Sequence, residues 1–177
     1  MYLVSLYFDE KTNKKIASLM KQTADQSGNT EMIDKEVPPH ITLTAFESRE
    51  RETVLEEVLG RVCSGVVQGG LMWVSVAAFF PHVIYLMPVQ NRYLQELSCN
   101  ICLELETHGG AKIQEYYRPF EWLPHTTVAR RLSGEEMRDA FAALQTSFAP
   151  FEGKVVRIGL STGSPKREIR FWDLCKE

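Results

Sequence analysis

The chain has 177 residues, 44% hydrophobic and 24% charged, the balance of an ordinary soluble globular protein with one core. No apolar run reaches the roughly 18 residues that span a bilayer, and Met1-Tyr2-Leu3-Val4-Ser5 lacks the basic and small-residue marks of a signal peptide. The expectation is a cytoplasmic protein, monomeric, with a single bilobal domain over residues 1–177. A net charge of −3 argues against a protein that coats nucleic acid, although residues 111–177 hold 11 Lys/Arg against 9 Asp/Glu and leave room for a local anion site.

Tyr2 to Phe8 is rich in β-formers and predicts a strand. Asp9 can cap a helix over about residues 10–25, with Ile16, Leu19 and Met20 on its apolar face, and Gly28-Asn29 marks a loop. Pro38-Pro39-His40 is a rigid approach to a strand through Phe46. Ser48 precedes a helix over about 49–63, with Val54, Leu55, Val58 and Val62 inward, and Gly69-Gly70 ends that unit. Leu71–Phe79 and His82–Met87 predict a strand pair turning at Pro81. Tyr93, Leu94, Leu97, Ile101 and Leu105 recur at helical spacing over 91–107, and His108-Gly109-Gly110 stops that helix. Leu123–Arg130 predicts a strand. Ser133 with Glu136 forms a capping box for a helix over 134–147, and strands over 154–161 and 168–174 complete the chain.

The four cysteines include one C-x-x-C, Cys99 and Cys102. The pair lies inside a helical pattern, not at a helix start where a thiolate is activated, and no second pair exists to complete a four-ligand zinc site. The expectation is reduced thiols packed in or near a core.

The element order repeats weakly after about 85 residues, the separation of His40 and His125 (125 − 40 = 85). At that period Pro39-His40-Ile41-Thr42-Leu43 and Pro124-His125-Thr126-Thr127-Val128 share the pattern Pro-His-x-Thr-aliphatic, in a chain with only four His. On a strand, residues i and i+2 share a face, so each imidazole lies beside a hydroxyl. If the repeats pack about a pseudo-two-fold axis, two His and two Thr meet in one cleft. Two imidazoles that titrate near working pH can then act as base and acid across a phosphate, with the threonines donating to its non-bridging oxygens. Such chemistry on a strained cyclic ester needs neither a metal nor another cofactor. Pro81-His82-Val83-Ile84 has the Pro-His pair but lacks the Thr, and His82 is expected to be structural. His108 is expected at the surface of a helix end, and Tyr7, Tyr117 and Trp122 are expected to serve the core more than a base-stacking site.

These paired motifs, their separation and the strand–helix order resemble the 2H phosphoesterase superfamily, in particular the RNA 2′,3′-cyclic phosphodiesterases of the 2′-5′ RNA ligase family. The resemblance covers nearly the whole chain. It implies an α+β bilobal fold with two antiparallel sheets and outer helices around a central cleft, and it implies that His40, Thr42, His125 and Thr127 form the catalytic set. It also implies Arg130 as a phosphate or nucleobase contact, and His125 as the base on water with His40 as the acid. The implied substrate is an RNA end or a small nucleotide carrying a cyclic phosphate, with no metal, no membrane and no protein partner. Three alternatives stay open: another small cyclic phosphate or a 2′-5′ linkage as substrate, a nucleotide-binding or RNA-end-binding module of the same fold, and a His/Cys metal protein. The last leaves the paired Thr unexplained.

Overall fold

The computed structural model describes residues 1–163 and 165–176. In chain order it contains β1 (Tyr2–Phe8), α1 (Glu10–Ser27), α2 (Glu31–Asp34), β2 (Ile41–Glu47), α3 (Glu52–Cys63), β3 (Gly69–Phe79), β4 (Val83–Pro88), α4 (Arg92–His108), β5 (Lys112–Ile113), a 3₁₀ turn (Glu115–Tyr117), β6 (Thr126–Arg130), α5 (Gly134–Ser147), β7 (Phe151–Thr162) and β8 (Arg167–Asp173).

Every pairing between these strands is antiparallel. All eight strands form one sheet, in the order β5-β2-β1-β7-β3-β4-β6 with β8 also on β7, and it falls into two lobes, a first sheet β5-β2-β1-β7-β8 and a second β7-β3-β4-β6. They share β7, whose first residues, Phe151–Val155, pair with β3 while Arg157–Thr162 pair with β8. The two expected sheets are therefore joined by one continuous strand. Near the opposite ends of this curled array, β2 and β6 come close without hydrogen-bonding to each other.

The helices explain how the two halves cohere. The first sheet is covered by α3 and α4, and the second by α1 and α5. Each repeat thus sends one helix to the other half, since α1 follows β1 and α4 follows β4. The apolar stripes at helical spacing are buried as expected: Ile16, Leu19 and Met20 on α1, and Leu94, Leu97, Ile101 and Leu105 on α4. Each such side chain contributes about 1.5–3 kcal/mol when fully buried.

The caps follow the sequence in part. Asp9 accepts from the Thr12 N–H at 2.9 Å, and Ser133 and Glu136 form the complete capping box of α5. Ser48 does not cap α3, which begins at Glu52, because its hydroxyl donates to the Gly109 carbonyl at the end of α4 (2.7 Å). On α3 the inward residues are Leu55, Val58, Leu59 and Cys63, while Val54 and Val62 lie at the rim of the core. Gly69 and Gly70 do not end a unit but open β3. A Cβ at Gly69 would stand 2.4 Å from the Tyr93 ring, so only glycine lets strand and ring approach. The short α2 and β5 have no counterpart in the sequence pattern.

Candidate functional site

The two Pro-His-x-Thr motifs occupy equivalent places in the two halves. Each histidine stands just before a strand, so β6 begins at Thr126, three residues later than the sequence predicted. Ser5 of β1 lies opposite Thr42, and Tyr85 of β4 lies opposite Thr127. Each pairing then slips by one residue at the same point, between Val4 and Ser5 and between Ile84 and Tyr85. The bulges skip Leu43 and Val128, and they return Ala45 and Arg130 to the face of their motif threonine. The repeat therefore extends to its irregularities.

The histidines are anchored alike. The His40 Nδ1 lies 2.8 Å from the Pro38 carbonyl, and the His125 Nδ1 lies 2.9 Å from that of Leu123. A carbonyl only accepts, so each Nδ1 carries the proton and each Nε2 is left to exchange one. His125 is near enough to His40 for its charge to disfavour charge there. Burial lowers the pKa of His40 below its ordinary value, with Lys166 and His125 acting in the same sense, and burial also lowers that of His125.

The middle residue of each motif turns into the core. Ile41 and Thr126 are both fully buried. Thr126 has a hydroxyl to satisfy there, and it accepts the indole N–H of the fully buried Trp73 at 3.1 Å. Trp122, 3% exposed, donates its indole N–H to the Thr42 carbonyl at 3.1 Å. It stands three residues before His125, so this bond ties the approach to the second motif to the strand of the first. The sequence marked Trp122 only as a core or stacking aromatic.

The surroundings of the two imidazoles differ. The Tyr7 ring lies beside His40 (6.2 Å between centroids), its hydroxyl donates to Glu168 at 3.5 Å, and Glu168 pairs with Lys166 at 3.0 Å. Tyr7 and Phe171 close over Gly159, where a Cβ would lie 2.8 Å from both rings. His125 instead packs edge-on to Phe79 (4.9 Å) and Tyr85 (5.4 Å), which stack on each other.

The remaining sequence candidates fall as follows. Arg130 lies on the Thr127 face but bonds Glu31 of α2 at 3.3 Å. His82 spends its Nδ1 on the Leu132 carbonyl at 2.8 Å, and His108 is a half-exposed helix-end residue near Glu104. Cys63 and Cys102 are buried free thiols and Cys99 is half-buried, whereas Cys175 is exposed and so departs from the expected core placement; burial pushes Cys63 up to about 12. Among the described residues no three His, Cys, Asp or Glu side chains gather into a metal-binding group, and no helix is long and apolar enough to cross a membrane. Two grooves of about 560 and 780 Å³ lie elsewhere, beside the N-terminus of α1 and between β3 and α5. Neither is lined by a histidine.

The sequence pattern of the 2′-5′ RNA ligase superfamily matches residues 10–164. A Geobacillus thermodenitrificans (strain NG80-2) protein, named provisionally as a phosphoesterase, is 27% identical over 128 residues, covering 70% of this chain and 69% of its own. Among solved structures, TT0787 of Thermus thermophilus superposes with a TM-score of 0.64 at 15% identity, covering 98% of this chain and 97% of that one. Escherichia coli LigT complexed with 3′-AMP superposes with a TM-score of 0.58 at 16% identity, covering 98% and 96%. The fold and the matched sequence pattern thus define a phosphoesterase of the two-histidine (2H) class. Within that class, the chain belongs to the 2′-5′ RNA ligase superfamily.

Proposed function

We propose that the chain, working as one bilobal unit, hydrolyses the 2′,3′-cyclic phosphate at the end of an RNA or nucleotide by two-histidine acid–base catalysis. The observation that carries this reading is the matched anchoring of His40 and His125. In both, Nδ1 is fixed as donor to a carbonyl two residues upstream, which leaves both Nε2 atoms for proton transfer. One neutral Nε2 takes a proton from water as its oxygen bonds to phosphorus. The other, protonated, delivers its proton to the ribose oxygen as the P–O bond breaks. The Thr42 and Thr127 hydroxyls donate to the non-bridging oxygens, where charge builds up. The phosphate has its place between two groups whose pKa values are lowered by burial, because its negative charge restores the charged imidazole the acid step needs. LigT, which shares the fold, has been crystallised with 3′-AMP, a nucleotide carrying phosphate on a ribose oxygen. That agrees with a ribose phosphate as ligand.

The test is hydrolysis of a 2′,3′-cyclic mononucleotide in excess chelator, with the phosphomonoester product resolved by chromatography. Turnover without metal is expected. No turnover of any cyclic nucleotide, or turnover that needs a divalent metal, overturns the reading.

A further inference from the structure

One strand of the sheet is covered on each side over only part of its length. β3 pairs with β7 over Gly69–Trp73 and with β4 over Trp73–Phe79. Beyond Trp73, its β7 side has no strand neighbour among the described residues. The outward N–H and C=O groups of residues 74–79 therefore form an open edge, beside the groove of about 780 Å³ between β3 and α5. The other edges of the sheet are blunted. β5 is two residues long, β8 carries Arg167, Glu168, Arg170 and Asp173, and β6 has α1 and α2 packed against it. Short length, charge and helical cover are the usual guards against a strand pairing with another chain. Residues 74–79 of β3, Val-Ser-Val-Ala-Ala-Phe, have neither charge nor proline.

The groove beside this edge is apolar and ends on an uncovered aromatic. Val76 and Phe80 line it from β3 and its turn, facing Phe141 of α5 and Phe148 just after it. Phe80 is 79% exposed, a ring with about 150–250 Å² to bury. Its neighbour Phe79 turns the other way, edge-on to His125 at 4.9 Å, so groove and catalytic cleft lie on opposite faces of the strand. The one charged residue in the groove wall, Arg138, is offset by Glu135 of its own helix at 3.9 Å. Whatever fills the groove must then be apolar, uncharged and able to hydrogen-bond along its length.

The same stretch of a second copy meets all three demands. We propose that residues 74–79 of two copies pair antiparallel about a two-fold axis, each Phe80 entering the other copy's groove, so that this face is the contact of a homodimer. A strand paired with itself in this way makes an isologous contact, in which one free edge completes both sheets. Residues directly opposite in an antiparallel pair share a face. A register that sets Phe80 against Val74 or Val76 therefore keeps its ring on the α5 side, against the partner's Phe141 and Phe148. The two α5 helices come to lie side by side, and both clefts stay open on the other face. The contact is small, at the low end of specific interfaces near roughly 1,200 Å², so the dimer exchanges with monomer. It departs from the monomer expected from the sequence, in which a half-covered strand edge leaves no mark.

The test is sedimentation equilibrium of the full chain from about 1 to 300 μM, with amide hydrogen exchange measured at both ends of that range. A monomer–dimer equilibrium is expected, and the amides of residues 74–80 should exchange more slowly as the dimer fills. Two variants place a charge in the contact at exposed positions, Phe80→Glu on the turn and Ala142→Lys on the α5 wall of the groove. Each should raise the dissociation constant of the dimer at least about tenfold, the scale of an interface hot spot. Circular dichroism and the melting temperature at the lowest concentration should match wild type, which separates a lost contact from a lost fold. A dimer that neither variant weakens, or whose protection falls outside residues 74–80 and α5, overturns the proposal. A wild type that stays monomeric throughout also overturns it, and leaves the groove to an extended apolar segment of another protein.

Discussion

The halves that carry His40 and His125 share a backbone device and differ in what they wrap around it. The Nδ1 anchor, the opposing strand, the bulge after the threonine and the buried middle residue recur in both. The residue opposite the threonine is Ser5 in one half and Tyr85 in the other. Where the second half has Arg130, the first has Ala45. His40 stands among Tyr7, Glu168 and Lys166, and His125 stands against Phe79 and Tyr85. Position is kept by the repeat and electrostatics is not, so two equivalent imidazoles can take unequal roles.

Removing one imidazole at a time tests these roles most severely. His40→Ala and His125→Ala should each lower kcat by at least about a hundredfold, and the double variant should be little worse than either single one, since the pair acts as a unit. A single variant that keeps half its activity ends the two-histidine mechanism. Next are Thr42→Val and Thr127→Val, which keep shape on the strand and remove the hydroxyl. Losses of roughly ten- to a hundredfold in kcat are expected, checked by steady-state kinetics against circular dichroism of the fold.

A smaller effect is expected where the halves are tied. Trp122→Phe leaves the buried Thr42 carbonyl without its donor, at a cost of about 1–3 kcal/mol of stability. It also frees the first motif strand to shift, so kcat should fall severalfold with KM nearly unchanged. Chemical denaturation and kinetics on the same sample separate the two. Wild-type kcat with lowered stability would make the bond purely structural.

The smallest effect is the one that tells the histidines apart. Both free-enzyme pKa values lie below the ordinary 6.5 or so, so the bell of kcat/KM against pH should have both limbs on the acidic side of that value. The kcat bell should be displaced toward alkaline pH, because bound phosphate favours the charged imidazole. Neither limb belongs to one residue in the wild-type curve. Lys166→Met removes a charge that lowers only the His40 pKa, and it should move one limb alkaline and leave the other in place. If both limbs move alike, the environments are not separable. Stability follows the same shifts. Below about 6.5 the unfolded chain binds protons that the folded histidines refuse, so stability is complete above that pH and falls as pH drops toward the lowered folded values.

The parts of this arrangement written in local chemistry were legible in the sequence. The capping box set the start of α5, and the Pro-His-x-Thr pattern pointed to both strand entries, although each His stands just before its strand and not on it. The parts that depend on distant partners were not. Ser48 looked like a cap until Gly109 claimed its hydroxyl. Trp122 gave no sign that its N–H would cross to Thr42, and nothing around Glu31 announces that Arg130 and Arg131, a hundred residues later, would converge on it. Propensity speaks for a residue and its neighbours, while these contacts are set by the packing of the two halves.

The shared strand has a consequence for how the chain is made. During synthesis β1, α1 and β2 emerge first, yet α1 finds its cover on the second sheet, and both sheets stay short of a central neighbour until residues 151–162 have left the ribosome. Early segments must wait, with apolar stripes uncovered, for a strand near the far end of the chain, and such long-range closure is slow. A fragment ending at Pro150 should therefore show no cooperative thermal unfolding, whereas the full chain should melt in one transition. Two halves so alike in plan cannot ripen separately; the newborn protein is committed to finishing both at once.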